Sequence, residues 1–147
     1  MTCPAAADVL LVEDDPADLE LTLRALRNAR LVNAVATAAD GVEALDFVFG
    51  TGPYAARAEA PPLRVVFLDL KLPRMSGLEV LARLRADPRT KELPVVVLTS
   101  SAEGLDIARA YDLGANSYLV KPVEFERFIE AVGQAGLYWL LLNRPPR

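Results

Sequence analysis

Residues 65–69 have the sequence VVFLD, in which four apolar residues run directly into an acid. A short run without polar alternation is typical of a strand that is buried on both faces of a sheet. Similar runs occur at residues 9–12, 95–98 and 117–120. Each run is followed by a longer amphipathic stretch with the apolar spacing of a helix, so strands and helices are predicted to alternate.

A second strand and an insertion complete this pattern. Residues 32–36 alternate more than the other runs and predict a weaker strand. Asp40 has the character of a helix N-cap and Glu43 follows it in capping-box spacing, which predicts a helix over residues 41–49. Residues 50–62, which contain glycine and proline, predict a loop long enough to be an insertion.

Strict alternation of five strand-helix units predicts an α/β domain with a parallel sheet covered on both faces. The least apolar strand, at residues 32–36, suits an edge, which favours a flavodoxin-like, doubly wound sheet of order 2-1-3-4-5 with five helices. The fourth helix, over residues 103–113, is expected to stop at Gly114. We expect residues 1–147 to form one domain, with residues 137–147 as an apolar C-terminal extension of the last helix.

The composition excludes several classes of function. The 147 residues include no histidine and one cysteine, Cys3, so Ser-His-Asp catalysis, His-ligated zinc and an internal disulfide cannot be built from this chain alone. A net charge of −4 without a basic stripe argues against nucleic acid as a partner. We also expect no membrane association, since no apolar run approaches the roughly 20 residues of a spanning helix. Without a secretory signal pattern, the expected location is the cytoplasm.

Polar residues follow four of the predicted strands and should meet at the carboxyl edge of the sheet, where such folds bind ligands. They are Glu13, Asp14 and Asp15 after the first strand, Asp69 after the third, Thr99, Ser100 and Ser101 after the fourth, and Lys121 after the fifth. Converging carboxylates repel one another unless a cation is present, and hard oxygen ligands favour Mg²⁺. A lysine and a threonine would complete a pocket for a phosphoryl group.

Asp69 is the candidate nucleophile of this site. It stands alone on a central strand, whereas Glu13 and Asp14 are adjacent and better placed as metal ligands. Attack by the Asp69 carboxylate on phosphorus would give an aspartyl phosphate. Asp15 is open to two interpretations, either a fourth acid of the site or the N-cap of the first helix.

Four sequence blocks resemble the signature blocks of response-regulator receiver domains of the CheY-like type. They are LLVEDD at residues 10–15, FLDLKLP at 67–73, VLTSS at 97–101 and YLVKP at 118–122. The resemblance implies that Asp69 accepts a phosphoryl group from a phosphohistidine on a sensor histidine kinase. It also implies a signalling domain rather than an enzyme, with only self-catalysed phosphotransfer and autodephosphorylation. Because the chain ends soon after the fifth helix, it resembles a stand-alone receiver.

The resemblance further implies a ligand set for Mg²⁺. The metal would be bound by Glu13, Asp14, Asp69 and the main-chain carbonyl of Lys71. Glu13 stands where the family more often has aspartate. Its longer side chain leaves open whether it reaches the metal directly or through water.

The remaining roles implied by the resemblance concern the switch. Thr99 would move its hydroxyl to a phosphoryl oxygen, and Lys121 would pair with the same group. Tyr118 would be the aromatic residue that turns inward when Thr99 moves. The Lys121–Pro122 peptide bond is expected to be cis.

The end of the chain carries a run that would be apolar on every side of a helix, LYWLLL at residues 137–142. Such a surface marks a partner interface, unless the tail folds back onto its own domain. With the insertion at residues 50–62, the tail resembles the stand-alone regulators paired with bacterial phytochrome histidine kinases. That resemblance implies a phytochrome kinase as partner and a homodimer through the last helix and its extension. The predicted interface residues are Leu137, Tyr138, Trp139, Leu140 and Leu141.

Two other functions compete with this one. A Mg²⁺-dependent phosphatase with an aspartyl intermediate typically has a second acid two residues after the nucleophile, where this chain has Lys71. A receiver-like scaffold that is never phosphorylated would not need Asp14, Asp69, Thr99 and Lys121 together. Dinucleotide binding is excluded because no glycine-rich fingerprint follows the first strand.

Overall fold

The computed structural model describes residues 7–28, 35–100, 102–121, 126–127, 130–132 and 134. Five parallel strands form one sheet in the order β2-β1-β3-β4-β5, which confirms the predicted flavodoxin-like, doubly wound architecture. The strands are β1 Val9–Val12, β2 Val35–Ala38, β3 Val65–Leu68, β4 Val95–Thr99 and β5 Ser117–Val120. The helices are α1 Pro16–Asn28, α2 Gly41–Phe49, α3 Gly77–Ala86 and α4 Gly104–Asp112, with a 3₁₀ helix at Gly52–Arg57.

A fifth helix, α5, follows β5. Its described residues are 126–127, 130–132 and 134, all of them helical. Val132 is fully buried in this helix, whereas Glu126, Arg127 and Glu130 are exposed. The predicted apolar extension, residues 137–147, lies outside the described residues. Within the described ranges, no helix is both long and apolar enough to cross a membrane.

The sheet is covered on both faces because successive residues of each strand enter different apolar clusters. Leu10 and Val12 of β1 pack in the cluster that contains α2 and α3, while Val9 and Leu11 pack in the cluster that contains α1 and Val132. All four residues of β1 and all four of β3 are buried. This burial on both faces is the reason that the apolar runs lack alternation.

The edge strand β2 alternates, as its sequence predicts. Ala36 and Ala38 are buried while Val35 and Thr37 are half-buried. The predicted end of the strand at Ala36 is wrong, because the strand ends at Ala38. Pairing with β1 extends the strand that far, since Ala38 lies opposite the last residue of β1.

Helix α2 begins as predicted. Asp40 accepts a hydrogen bond from the Glu43 N–H at 2.8 Å, and the Glu43 carboxylate accepts one from the Ala39 N–H at 2.7 Å. This arrangement resembles a capping box, except that the Glu43 carboxylate binds the N–H of Ala39, one residue before the N-cap. Helix α4 likewise ends before Gly114, whose φ of 103° favours glycine.

The insertion at residues 50–62 contains the 3₁₀ helix Gly52–Arg57, which the sequence did not predict. Arg57 is buried, with its guanidinium carbon 3.7 Å from the ring centroid of Phe47, and it donates a hydrogen bond to the Phe47 carbonyl. Tyr54 packs edge-on against Phe47 and donates to the Glu43 carboxylate at 2.7 Å. The insertion is therefore fastened to α2, on the opposite face of the sheet from α1.

Gly77, the first residue of α3, allows this helix to start against the backbone of Asp69. A Cβ at position 77 would lie 2.1 Å from the Asp69 carbonyl oxygen and 2.7 Å from the Leu70 Cα. The Gly77 N–H also donates to the Leu70 carbonyl at 2.8 Å. A larger residue at position 77 would therefore displace the loop that carries Asp69.

We expect Gly77→Ala to lower the free energy of unfolding by about 1–3 kcal/mol, because the clash is with backbone that a rotamer change cannot relieve. Gly104→Ala is the matched control, since a Cβ there meets no atom within 4 Å at the corresponding first position of α4. Its effect should stay within about 0.5 kcal/mol. Urea denaturation of the two variants measures both values. Equal stabilities would contradict the close approach at Gly77.

Candidate functional site

The register of the sheet places the predicted site residues side by side. Val12 of β1 pairs with Leu68 of β3, so the next residues, Glu13 and Asp69, leave the sheet together. The Asp69 N–H donates to the Val12 carbonyl at 3.1 Å and continues the ladder by one residue. On the other side, the Lys121 N–H donates to the Thr99 carbonyl at 2.8 Å. The parallel ladder therefore delivers residues from β1, β3, β4 and β5 to one edge.

The ammonium group of Lys121 lies at the centre of this edge. Its Nζ donates to Asp69 Oδ2 at 3.1 Å, to Asp18 Oδ2 at 2.9 Å and to Glu13 Oε1. The side chains of Lys121 and Asp69 are each 9% exposed, and that of Glu13 is 2% exposed. Charges that are buried away from water interact strongly, so these carboxylates would repel one another without a counter-charge. Lys121 supplies that counter-charge.

Burial and pairing shift the pKa values of this group in a consistent way. Burial raises the pKa of Glu13 to about 7, although the hydrogen bond from Lys121 favours the charged form. Burial acts against the charge of Lys121, but hydrogen bonds to Glu13 and Asp18 outweigh it and raise the pKa of the ammonium above its usual value. Lys121 therefore stays positive across the physiological range.

Three carboxylates form a group that could hold a metal ion. Glu13, Asp14 and Asp69 each offer an oxygen, and these oxygens lie within 4.8 Å of one another. Carboxylate oxygens this close together fit a hard cation that binds oxygen at about 2.1 Å. A set of hard oxygens suits Mg²⁺ or Mn²⁺ rather than a softer metal. Asp14 is exposed, which leaves one side of the group open to water and to a phosphoryl group.

Lys71 lies beside Asp69 in the loop that follows β3. Its N–H donates to Asp69 Oδ1 at 3.3 Å. This contact places the Lys71 backbone next to the acid, and the role of its carbonyl as a metal ligand stays a prediction. The same loop is held against the start of α2, because the Arg74 guanidinium lies 2.9 Å from the carboxylate of Asp40, the N-cap of that helix. The Arg74 backbone has a left-handed φ of 65°.

Thr99 lies on β4, which pairs with β3, and Tyr118 lies on β5, the edge strand beyond β4. Thr99 is the last residue of β4 and is fully buried. Tyr118 is opposite Val97 in the register of β4 with β5, and it packs, half-buried, against the apolar cluster beneath α2 and α3. Their positions fit a switch that spans these two strands, and their predicted roles in it stay predictions.

The structure favours one of the two interpretations of Asp15. Its Oδ1 accepts a hydrogen bond from the Ala17 N–H at 2.9 Å at the start of α1, as an N-cap does. Asp15 is exposed and does not belong to the carboxylate group of Glu13, Asp14 and Asp69. The cap interpretation therefore describes its contact.

Asp18 is a site residue that the sequence analysis missed. It lies in the first turn of α1 and reaches Lys121 across 103 positions of the chain. The available signal for Asp18 was an acid in the first turn of the helix that follows β1. An acid at that place is also explained by its favourable interaction with the helix dipole. The pairing could be recognised only once β1 and β5 were placed in the sheet.

Several predicted features fall outside the described residues. These are the Lys121–Pro122 peptide bond, because Pro122 is not described, and the predicted dimer residues Leu137, Tyr138, Trp139, Leu140 and Leu141. They stay predictions.

Comparison with known proteins places this geometry in a family. The family model for the response regulator receiver domain matches residues 9–133. A probable methanogenesis regulatory protein, FilR2 of Methanothrix harundinacea, is 38% identical over 94% of this chain and 86% of its own length. Response regulator Rcp1 of Synechocystis is 34% identical over 90% of this chain and 88% of its own length.

Solved structures agree with this assignment. The phosphorylated cyanobacterial phytochrome response regulator RcpA superposes with a TM-score of 0.87 at 36% identity, over 97% of this chain and 99% of its own. The bacteriophytochrome response regulator AtBRR superposes with a TM-score of 0.75 at 49% identity, over 96% of this chain and 100% of its own. The Mn²⁺-bound form of Rcp1 superposes with a TM-score of 0.85 at 33% identity, over 95% of this chain and 98% of its own, so this relative holds a divalent cation.

A match to the family model over residues 9–133 of 147 covers both the sheet and the carboxylate edge. The chain therefore belongs to the response regulator receiver domain family of two-component signalling.

Proposed function

We propose that this chain is a single-domain response regulator that accepts a phosphoryl group on Asp69 from a phosphohistidine of a sensor histidine kinase. The observation that carries the proposal is the convergence on Asp69 of Lys121, Glu13 and Asp14 at the end of the central strand. Asp69 offers its Oδ1 to the Lys71 N–H and its Oδ2 to Lys121. Both contacts hold the carboxylate in place, which lowers the cost of orienting it for attack.

In the proposed reaction, an Asp69 carboxylate oxygen forms a bond to phosphorus while the bond between phosphorus and the imidazole nitrogen of the donor breaks. The bonding electrons stay on the imidazole nitrogen, and the imidazole takes up a proton from water and leaves as the neutral base. Lys121 pairs with the phosphoryl oxygens and stabilises the charge that they carry. Mg²⁺ would be held by Glu13, Asp14, Asp69 and the Lys71 carbonyl, and when bound it supplies further neutralisation of that charge.

The signal in this proposal is a change in protein contacts. Thr99 at the end of β4 moves toward the phosphoryl group, Tyr118 on the neighbouring strand follows, and the surface from β4 to α5 shifts between two populations. Phosphotransfer and autodephosphorylation are the only reactions of the chain. The kinase is of the bacterial phytochrome class, a choice supported by the likeness to RcpA and AtBRR. The reaction takes place in the cytoplasm, which the single cysteine of the sequence fits.

We expect incubation with Mg²⁺ and acetyl phosphate to add one acid-stable, base-labile phosphoryl group, detected by mass spectrometry of the intact protein. Asp69→Asn should remain unmodified, because an amide is not a nucleophile toward phosphorus. Asp46→Asn is a matched control, since Asp46 binds the Thr51 hydroxyl in the insertion, away from the carboxylate edge. A phosphoryl group on the Asp69→Asn variant would contradict the site assignment.

We further propose a homodimer through α5 and its extension. The described part of α5 turns Val132 into the core and its charged residues to solvent, so this stretch of helix has one apolar face. A helix continued through residues 137–142 would be apolar on every side, which is more than one such face can bury. A second copy of the chain would cover the excess.

Deleting residues 137–147 should therefore convert the dimer into a monomer, as measured by light scattering on a sizing column. Deleting residues 143–147 alone removes the polar end NRPPR and keeps the apolar run, so this control should remain dimeric. A dimer that survives the longer deletion would rule out the tail as the interface.

A further inference from the structure

Asp18 contacts Lys121 but lies outside the group that could hold a metal. Its Oδ2 is 2.9 Å from the Lys121 Nζ, and its side chain is 32% exposed. The carboxylates that converge as a possible metal site are those of Glu13, Asp14 and Asp69. Asp18 therefore binds the ammonium group without being a candidate ligand.

An ammonium group has three N–H donors, and Lys121 directs one to each of three carboxylates. Two of these acceptors change during the proposed reaction. Asp69 would become an acyl phosphate, and Glu13 would be among the residues that hold the cation. Asp18 is the one acceptor among the three that neither reacts nor binds the metal.

The backbone beneath Asp18 is fixed. Asp18 lies in the first turn of α1, and its carbonyl accepts a hydrogen bond from the hydroxyl of Thr22 at 2.9 Å. Thr22 is fully buried. The Asp18 carboxylate is therefore held by a packed helix, which is a firmer support than a loop.

We propose that Asp18 is a positioning residue that holds the Lys121 ammonium at the phosphoryl site while the other two carboxylates change partners. The inference rests on the proposed function, because it assigns a task to Lys121 in that reaction. Asp18 anchors one of the three N–H groups, and the other two remain free to follow the phosphoryl oxygens. Without this anchor, the flexible lysine side chain would lose conformational entropy on the way to the transition state. That loss slows phosphoryl transfer.

A competing explanation is that Asp18 only stabilises α1 through the helix dipole. Asp15 separates the two explanations, because it is also an acid at the start of α1 but caps the helix through the Ala17 N–H. Asn serves as an N-cap about as well as Asp, so Asp15→Asn removes the same unit of charge and keeps the cap.

The test compares phosphorylation by acetyl phosphate in Asp18→Asn and Asp15→Asn, with the rate followed at increasing Mg²⁺. We expect the maximal rate of Asp18→Asn to fall about tenfold, as for a misplaced catalytic group, with half-saturation by Mg²⁺ changed less than about twofold. Asp15→Asn should keep the maximal rate of the wild type within about twofold.

Asp18→Glu, which keeps the charge, should recover part of the loss. In a Lys121→Ala background, Asp18→Asn should have no further effect, because the two residues act as one unit.

Several results would overturn the inference. They are an unchanged maximal rate in Asp18→Asn, an equal loss in Asp15→Asn, or the same loss with and without Lys121. If Asp18→Asn fails to fold, Asp18→Ser replaces it: a folded Asp18→Ser with no loss of rate decides against the inference, and a loss of rate supports it. A wild-type chain that takes up no phosphoryl group overturns the proposed function and this inference together. Normal phosphorylation of Asp18→Asn beside an unreactive Asp69→Asn removes the inference alone.

Discussion

The interaction on which this site depends is that between one ammonium group and the carboxylates around it. Lys121 donates to Glu13, Asp18 and Asp69. Of these four side chains, only that of Asp18 has a substantial exposed fraction. Negative charges gathered out of water repel one another strongly, so they can stay together only beside positive charge. The chain supplies one such charge itself. Mg²⁺ would supply two more in the proposed reaction, and the phosphoryl group adds negative charge that the same cations must balance.

The fold makes this balance possible by bringing distant parts of the chain to one edge. Parallel register aligns the ends of β1 and β3, and the ladder from β4 to β5 places Lys121 next to them. Helix α3 then approaches so closely that only glycine fits at position 77 against the Asp69 backbone. The chemistry of the site therefore depends on packing and strand pairing as much as on the charged residues themselves.

Much of this arrangement could be predicted from the sequence, because strand ends are visible in the linear order of residues. Apolar runs buried on both faces mark the inner strands, and the polar residues after them mark the edge that binds ligands. The 3₁₀ helix of the insertion was missed, since its contacts to Phe47 and Glu43 join residues that no periodicity connects. Asp18 was missed for a related reason. An acid early in a helix has a local explanation, and its pairing with Lys121 depends on where β5 lies in the sheet.

Lys121 and a divalent cation would neutralise the same carboxylates, so the two should compete for them. Titration calorimetry of Mg²⁺ into the wild type and into Lys121→Met measures this competition, with the exposed Lys91→Met as a control for the loss of one positive charge elsewhere. We expect Lys121→Met to bind Mg²⁺ about tenfold more tightly, because the ammonium no longer competes for Glu13 and Asp69, while Lys91→Met should bind as the wild type does. Unchanged or weaker binding of Mg²⁺ by Lys121→Met would show that the two do not compete.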